Sequence, residues 1–474
     1  MSEGKAPNWR PGRAKSEKVR RIVFQVLVDV IENDGYANLQ LPATLNKAYV
    51  KRRDAAFATN LCYGVLRLQS RWDAIIAKCC AGRQISEIDL PVLVLLRMGA
   101  YQLLALETPP HAAIYETVML TRNEVGTGAS GFVNAVLRRI SERSLNEWRN
   151  LLQAELGGSG SLKFISVWFS HPEWIVRAFA TSLQAAGRNP QELLAVLKAN
   201  NKPAKVTLAA RGISPAELAA DISRGKMESA PPSLVPTALT LEGGDPGRIF
   251  AVQDKLAGVQ DEGSQLVVAA FAAAPIEGND SRWLDMCAGP GGKTATLAPI
   301  AASRGANIFA NELHPHRLEL VEQAVAPWAE RVALRCGDGR EIGEEEPESY
   351  DRILIDAPCT GIGALRRRPE SRWRKKAGDA LDLAKLQIEL LESGWQAVRP
   401  GGIIAYSTCS PHLPETRAII KDFCTRHPQA VLLDAPAIAA QNALQPLSGT
   451  DNLLQLWPDL HDTDAMFLAI LQKN

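Results

Sequence analysis

The chain has 474 residues, enough for roughly two to four domains. Its apolar fraction of 46% and charged fraction of 22% exclude a disordered or fibrous chain. Lys and Arg total 53 against 52 Asp and Glu, so a net charge of +1 announces no partner, and only local runs can carry that information.

The first residues, MSEGKAPNWRPGRAKSEKVRR, are basic but lack the apolar core of a secretory signal. The most apolar stretch, LPVLVLLRMGAYQLLAL, is interrupted by Arg97 and is too short to span a bilayer. These features predict a cytoplasmic chain with no membrane partner. The cysteines Cys62, Cys79, Cys80, Cys287, Cys336, Cys359, Cys409 and Cys424 form no regular framework and no CxxC pair. That pattern favours free thiols over disulfides, and no metal site is expected.

Residues 1–16 read as a flexible basic tail. Over 17–145, apolar residues recur at three- and four-residue spacing, as in RRIVFQVLVDVI, DAAFATNLCYGVLRL and ASGFVNAVLRRI, which predicts a helical bundle. Residues 146–260 read as a mixed α/β linker domain. EWIVRAFATSL and PQELLAVLKAN look helical, while PAKVTLAAR, ALTLEGG and RIFAVQD look like short strands. From 261 to 474 the pattern alternates strand and helix. RWLDM, NIFANEL, RVALRCGD, YDRILIDAP, GGIIAYSTC and MFLAILQK are the expected strands. Such alternation predicts a mostly parallel sheet with ligands bound beyond the carboxyl ends of its strands.

Four features sit at those ends. Cys287, Ala288, Gly289, Pro290, Gly291, Gly292 and Lys293 follow the first strand and open a helix. Glycines there admit a ligand close to the backbone, and a helix start offers unpaired N–H groups to a carboxylate. A phosphate-binding P-loop would need Gly at position 287, and the spacing is not that of a dinucleotide fingerprint. Glu312 ends the second strand, where an acid bonds ribose hydroxyls, and Asp338 ends the third. Asp356-Ala357-Pro358-Cys359-Thr360-Gly361 follows the fourth strand, and Ser407-Thr408-Cys409-Ser410-Pro411 the fifth.

These residues share one chemical purpose. C5 of cytosine is a poor nucleophile, but a thiolate added at C6 makes it enamine-like and able to attack a sulfonium methyl group. A carboxylic acid near N3 would assist the addition, and a second group must help remove the C5 proton and release the thiol. The residues offer Asp356 for the N3 role and one cysteine each for attack and release, without deciding which is which.

DMCAGPGGKT, DAPCTGIGALRRRPESRW and YSTCSPHLPET together resemble the RNA cytosine-C5 methyltransferases, in particular the RsmB/Sun/Fmu branch. RDAAFATNLCYGVLR and GFVNAVLRRI resemble the NusB-like RNA-binding fold, and SHPEWIVRAF and VQDEGSQLV resemble the branch's middle segment. The resemblance implies a multi-domain chain: an all-α NusB-like bundle, a mixed linker domain and a Rossmann-like domain that uses S-adenosyl-L-methionine. It implies that residues 287–293, Glu312, Asp338 and Asp356 line the cofactor site. Cys409 is then the nucleophile and Cys359 assists release, with Asp356 and Lys293 completing the catalytic set. DNA cytosine-C5 methyltransferases place the nucleophile in a PC motif, so the reverse assignment stays open. The target implied is one cytosine of small-subunit (16S) rRNA, naked or in an assembling particle, with the enzyme acting as a monomer. The alternatives are the same chemistry on tRNA or another RNA, and a non-catalytic RNA-binding or antitermination factor. The basic run holding Arg366, Arg367, Arg368 and Arg372 is expected to grip RNA phosphates beside the flipped cytosine. Gly289 stands where the family more often has Ala, and the swap is expected to leave the loop's backbone contacts intact.

Overall fold

The computed structural model describes residues 11–447 and 449–474, with side chains from Glu17 onward. They form two compact units. One runs to Val176 and includes Arg366–Arg374; the other holds Arg177–Leu365 and Lys375–Asn474. For residues 1–10 the tail read from the sequence lies outside the described residues, and from Pro11 the backbone is helical.

The first unit is all helical: α1 (Pro11–Glu32), α2 (Ala37–Lys47), α3 (Arg52–Arg67), α4 (Gln69–Cys79), α5 (Leu90–Leu104), α6 (Pro110–Glu124), α7 (Thr127–Ser141), α8 (Leu145–Glu155) and α9 (Leu162–Phe169). The apolar stretch around Arg97 is α5, buried on nearly every side. A helix apolar all round belongs at the centre of a core. Arg97 is tolerated there because Asp73 takes its guanidinium in two parallel bonds of 2.7 and 2.8 Å. Among the described residues no helix is long and apolar enough to cross a membrane.

The short helix over Ser371–Arg374 belongs to this unit and corrects the reading of the basic run. Arg372 is fully buried, and its Nη1 donates to the carbonyls of Arg67 (2.8 Å) and Ser170 (3.0 Å). Arg374 donates to the carbonyls of Val30 and Gly35 at 2.7 and 2.6 Å. Arg366 is also buried, Arg367 is half-buried, and of the four residues expected to hold phosphate only Arg368 is exposed. Arg372 and Arg374 spend their guanidinium groups on backbone carbonyls, and burial takes Arg366 off the surface, so Arg366 and Arg372 are withdrawn from the RNA contact.

The second unit opens within α10 (Glu173–Ala185) and α11 (Leu193–Asn200). A small antiparallel sheet follows, of β1 (Val206–Ala210), β2 (Ser229–Ala230), β3 (Ala238–Leu241) and β4 (Ala257–Val259), in the order β2-β3-β1-β4 and crossed by α12 (Pro215–Arg224). RIFAVQD is not a strand: it is α13 (Phe250–Gln253), preceded by a 3-10 turn over Pro246–Arg248. The Asp221 carboxylate holds it by accepting from the Ala251 amide at 2.7 Å. α14 (Glu262–Ala273) then leads into the large sheet. Buried Glu262 binds the loop before β3, accepting from the amides of Leu234 (2.5 Å) and Val235 (2.9 Å).

The large sheet contains β5 (Arg282–Asp285), β6 (Asn307–Glu312), β7 (Val332–Cys336), β8 (Tyr350–Asp356), β9 (Val398–Thr408), β10 (Ala430–Leu433), β11 (Gly449–Thr450), β12 (Leu453–Gln455) and β13 (Phe467–Lys473). Its order is β11-β12-β13-β9-β8-β5-β6-β7, with β10 beside β13. β7, β6, β5, β8 and β9 are mutually parallel, and β13 runs antiparallel to β9. Runs such as ILI in β8 and IIAY in β9 are buried on both faces, as a covered parallel sheet requires. The crossovers include α15 (Gly292–Ser303), α16 (Pro315–Val325), the single turn α17 (Ile342–Glu345) and, after the short helix α18 (Ser371–Arg374), α19 (Asp379–Ala397), while α20 (Arg417–Arg426) follows β9. Strand order reverses between β5 and β8, which puts the ligand crevice at their carboxyl ends.

Candidate active site

Four acidic residues stand at or just beyond the ends of adjacent parallel strands: Asp285 on β5, Glu312 on β6, Asp338 after β7 and Asp356 on β8. Register fixes this, since Asp285 pairs with Ala310 and Leu354, Glu312 with Cys336, and Asp356 with Ser407.

Glu312 is buried, and its Oε2 accepts from the Gly289 amide at 3.1 Å while Oε1 accepts from the His314 amide at 3.0 Å. Arg317 bridges the same pair, donating to the Gly289 carbonyl and lying 3.4 Å from Glu312 Oε1. Glycine at 289 is what permits this approach. A Cβ there would stand 2.2 Å from Glu312 Oε2, so an alanine would require the tip of that side chain to shift. Beside Gly292, the first residue of α15, a Cβ would meet nothing within 4 Å. Asp338 is paired with Arg340 at 2.6 Å, and that hydrogen bond is the main reason its carboxyl lies below the ordinary range.

Lys293 and Asp356 form an ion pair of 2.7 Å, and Ser407 Oγ donates to the other Asp356 oxygen at 3.0 Å. Burial alone would lower the Lys293 ammonium. The Asp356 carboxylate, by charge and hydrogen bond, together with the Cys409 sulfur, overrides that and holds it above its ordinary value. Asp285 behaves oppositely. Burial pushes its carboxyl up to about 7, against the Thr294 hydroxyl bonded to it at 2.7 Å and with help from the Asp356 charge.

That proton has a consequence for stability. An acid raised by folding stabilises the fold fully below its ordinary value of 3.8, and the contribution fades as pH climbs through about 7. Asp285→Asn is neutral throughout. Melting curves of the two proteins should coincide near the acidic end and separate in the variant's favour at alkaline pH, by on the order of a few kcal/mol. Parallel curves across the range would show that Asp285 does not titrate there.

The two thiols converge: Cys359 Sγ and Cys409 Sγ lie 3.5 Å apart, each half-buried. The hydrogen bond to Cys409 and burial, with the charges of Glu415 and Asp356, push the Cys359 thiol well above its ordinary value. The loop backbones are tied by the Gly363 amide, which donates to the Cys409 carbonyl at 2.9 Å. A Cβ on Gly363 would lie 2.7 Å from that oxygen and 2.6 Å from the Ala465 carbonyl, so the chain needs glycine at this crossing. Gln387 of α19 steadies the Pro358 carbonyl at 2.7 Å.

Cys62, Cys79, Cys80 and Cys424 lie elsewhere, and burial raises each thiol, as suits inert packing residues. Among the described residues no group of His, Cys, Asp and Glu could hold a metal. The sequence reading did not single out Glu415, Thr360 and Ser410, which the structure places between the thiol loops. The signal was present in YSTCSPHLPET, where a Glu follows the second thiol by six residues, but nothing in that spacing reveals its target.

The donor set suits S-adenosyl-L-methionine. It carries a sulfonium and an ammonium cation, which carboxylates accommodate, ribose hydroxyls for an acid such as Glu312, and a carboxylate for the open start of α15.

Comparison with known proteins agrees with this geometry. Residues 272–472 match the family model described as 16S rRNA methyltransferase RsmB/F, and residues 17–142 match the NusB family. Rv1407 of Mycobacterium tuberculosis, whose name goes no further than methyltransferase, is 44% identical over 98% of both chains. The ribosomal RNA small subunit methyltransferase B of Salmonella arizonae is 30% identical, over 97% of this chain and all of its own. The crystal structure of PH0851 superposes over both whole chains with a TM-score of 0.77 at 21% identity, which shows a common fold. The chain therefore belongs to the RsmB/F family of S-adenosyl-L-methionine-dependent methyltransferases, with a NusB-family region at its N-terminal side.

Proposed function

We propose that the enzyme methylates C5 of one cytosine in small-subunit ribosomal RNA through a covalent bond between Cys409 and C6 of that base. The observation that carries this reading is the pair of thiols 3.5 Å apart beside the Lys293–Asp356 ion pair, at the ends of β8 and β9. The matched family's description and the name of the Salmonella arizonae relative support the choice of RNA.

When bound, S-adenosyl-L-methionine supplies an electrophilic methyl group on a sulfonium. Cys409 adds to C6 as a thiolate. Asp356 faces N3, and the Lys293 ammonium bonded to it offsets the electron density that addition places on the ring. C5 then takes the methyl group, Cys359 in its thiolate form accepts the C5 proton, and the C6–S bond breaks to return Cys409 to its thiolate. The bond to Cys409 and burial push the Cys359 thiol upward, so its thiolate form binds a proton strongly, as the acceptor at release must. The resemblance of YSTCSPHLPET to the family's TC motif is what assigns attack to Cys409.

An RNA partner also accounts for Lys51, Arg52 and Arg53, all exposed at the start of α3. Cations are disfavoured at the positive end of a helix, so their place there suits an anionic surface rather than the helix itself.

The test is methyl transfer from labelled donor to small-subunit rRNA and to tRNA, with the product nucleoside identified by mass spectrometry. The reading expects 5-methylcytidine in the rRNA alone. The same nucleoside in tRNA alone would move the substrate, and another methylated nucleoside would overturn the reaction.

Cofactor binding has its own test. Glu312→Ala should weaken donor affinity in calorimetry by roughly ten- to a hundredfold while the protein still melts cooperatively. Unchanged affinity would remove Glu312 from the site.

A further inference from the structure

The side chain of Glu415 is completely buried between the loops that follow β8 and β9. Its Oε1 accepts from the Thr360 amide at 2.6 Å. Its Oε2 accepts from the Thr360 hydroxyl at 2.6 Å and the Ser410 hydroxyl at 2.7 Å. Thr360 directly follows Cys359, and Ser410 directly follows Cys409, so one carboxylate grips the neighbour of each thiol. Glu415 is itself fixed, because its carbonyl accepts from the Tyr406 hydroxyl at 2.8 Å and its amide donates to the His412 carbonyl at 2.9 Å. Each of these side-chain contacts brings a donor to an acceptor-only group, and such charge-assisted bonds are short and directional.

A carboxylate buried only to fill space would need donors from one neighbourhood. This one takes them from two loops separated by 50 residues in sequence, at the point where the sulfurs meet. We propose that Glu415 is a positioning residue: by bonding Thr360 and Ser410 together it sets the separation and aim of the Cys359 and Cys409 sulfurs. Its purpose in catalysis rests on the reading of those cysteines as an attack-and-release pair. Its geometric effect does not.

The thiol pair therefore offers a readout independent of methyl transfer. Diamide takes two electrons and two protons from a pair of neighbouring thiols, forming one S–S bond as its N=N bond is reduced to the hydrazine. Wild type, Glu415→Gln, Glu415→Ala and Cys359→Ala would be treated with diamide, and the Cys359–Cys409 cross-link followed by mass spectrometry. Donor affinity and melting would be measured in parallel. Wild type should cross-link readily, and Cys359→Ala should not. Glu415→Gln keeps the volume but replaces one acceptor by a donor, and should cross-link more slowly by roughly tenfold. Glu415→Ala should be slower still, and both variants should bind donor with wild-type affinity. In steady state, their kcat should fall while KM for the donor holds.

Wild-type cross-linking rates in the folded variants would overturn the proposal, as would a wild type that forms no cross-link. If Glu415→Ala does not fold, Glu415→Gln decides alone. Slowed cross-linking in a protein whose wild type methylates no RNA cytosine would uphold the positioning role and remove the proposed reaction.

Discussion

Cys359→Ala should accumulate a covalent protein–RNA band on a denaturing gel when mixed with S-adenosyl-L-methionine and small-subunit rRNA, and Cys409→Ala should form none. The reason lies in the division of work between sulfurs 3.5 Å apart. In the proposed reaction Cys409 attacks, and Cys359, whose thiol is pushed upward by its bond to Cys409 and by burial, takes the C5 proton at release. Removing the attacker abolishes the adduct, and removing its neighbour leaves attack possible but slows escape. Methyl turnover should fall in both by about a thousandfold or more, the range expected when a group acting in covalent or acid–base catalysis is lost. An adduct in Cys409→Ala alone would make Cys359 the nucleophile, as in enzymes that attack from a PC motif.

Asp356→Ala should be the most damaging single change that leaves both thiols in place. Asp356 accepts from Lys293 at 2.7 Å and Ser407 at 3.0 Å, and the Lys293 side chain is only 12% exposed. Deleting the carboxylate strands a buried ammonium, which costs about 3–5 kcal/mol when a buried pair is broken. It also removes the group proposed to face N3, worth roughly a hundred- to ten-thousandfold in rate if it acts there. The expected result is a lower melting temperature together with turnover near background. Asp356→Asn should recover much of the stability, because the amide still fills the site, but little of the activity. Recovery of full activity in Asp356→Asn would show that the carboxylate does no work at N3.

The strand–helix alternation was legible because the parallel strands are continuous apolar runs bounded by Gly, Pro and Asp, and each functional residue follows such a run directly. That adjacency put Lys293, Glu312, Asp338, Asp356, Cys359 and Cys409 at strand ends as candidates, and the pairing of β8 with β9 brings the two thiol motifs together. Features depending on contacts far apart in sequence were not legible. Arg372 reads as one more cation in RRRPESRWRKK, yet it lies buried against the carbonyls of Arg67 and Ser170, which charge counting cannot see. RIFAVQD alternates like a strand, but the Asp221 carboxylate pulls its middle into a helical turn. Glu415 looked like an ordinary residue before a helix because its partner Thr360 is 55 positions away. β10, β11 and β12 are two to four residues long, too short for any periodicity to register.

The central claim is that Cys409 bonds C6 of a ribosomal cytosine. The measurement that reaches it most directly uses small-subunit rRNA carrying 5-fluorocytidine, whose C5 fluorine cannot leave as a proton, so that the complex is held after methyl transfer. Wild-type enzyme would be incubated with that RNA and S-adenosyl-L-methionine, digested, and the nucleotide-bearing peptide sequenced by mass spectrometry. A methylated fluorocytidine nucleotide on Cys409 is expected. A nucleotide on Cys359, or no covalent peptide from RNA that is methylated when unsubstituted, would contradict it.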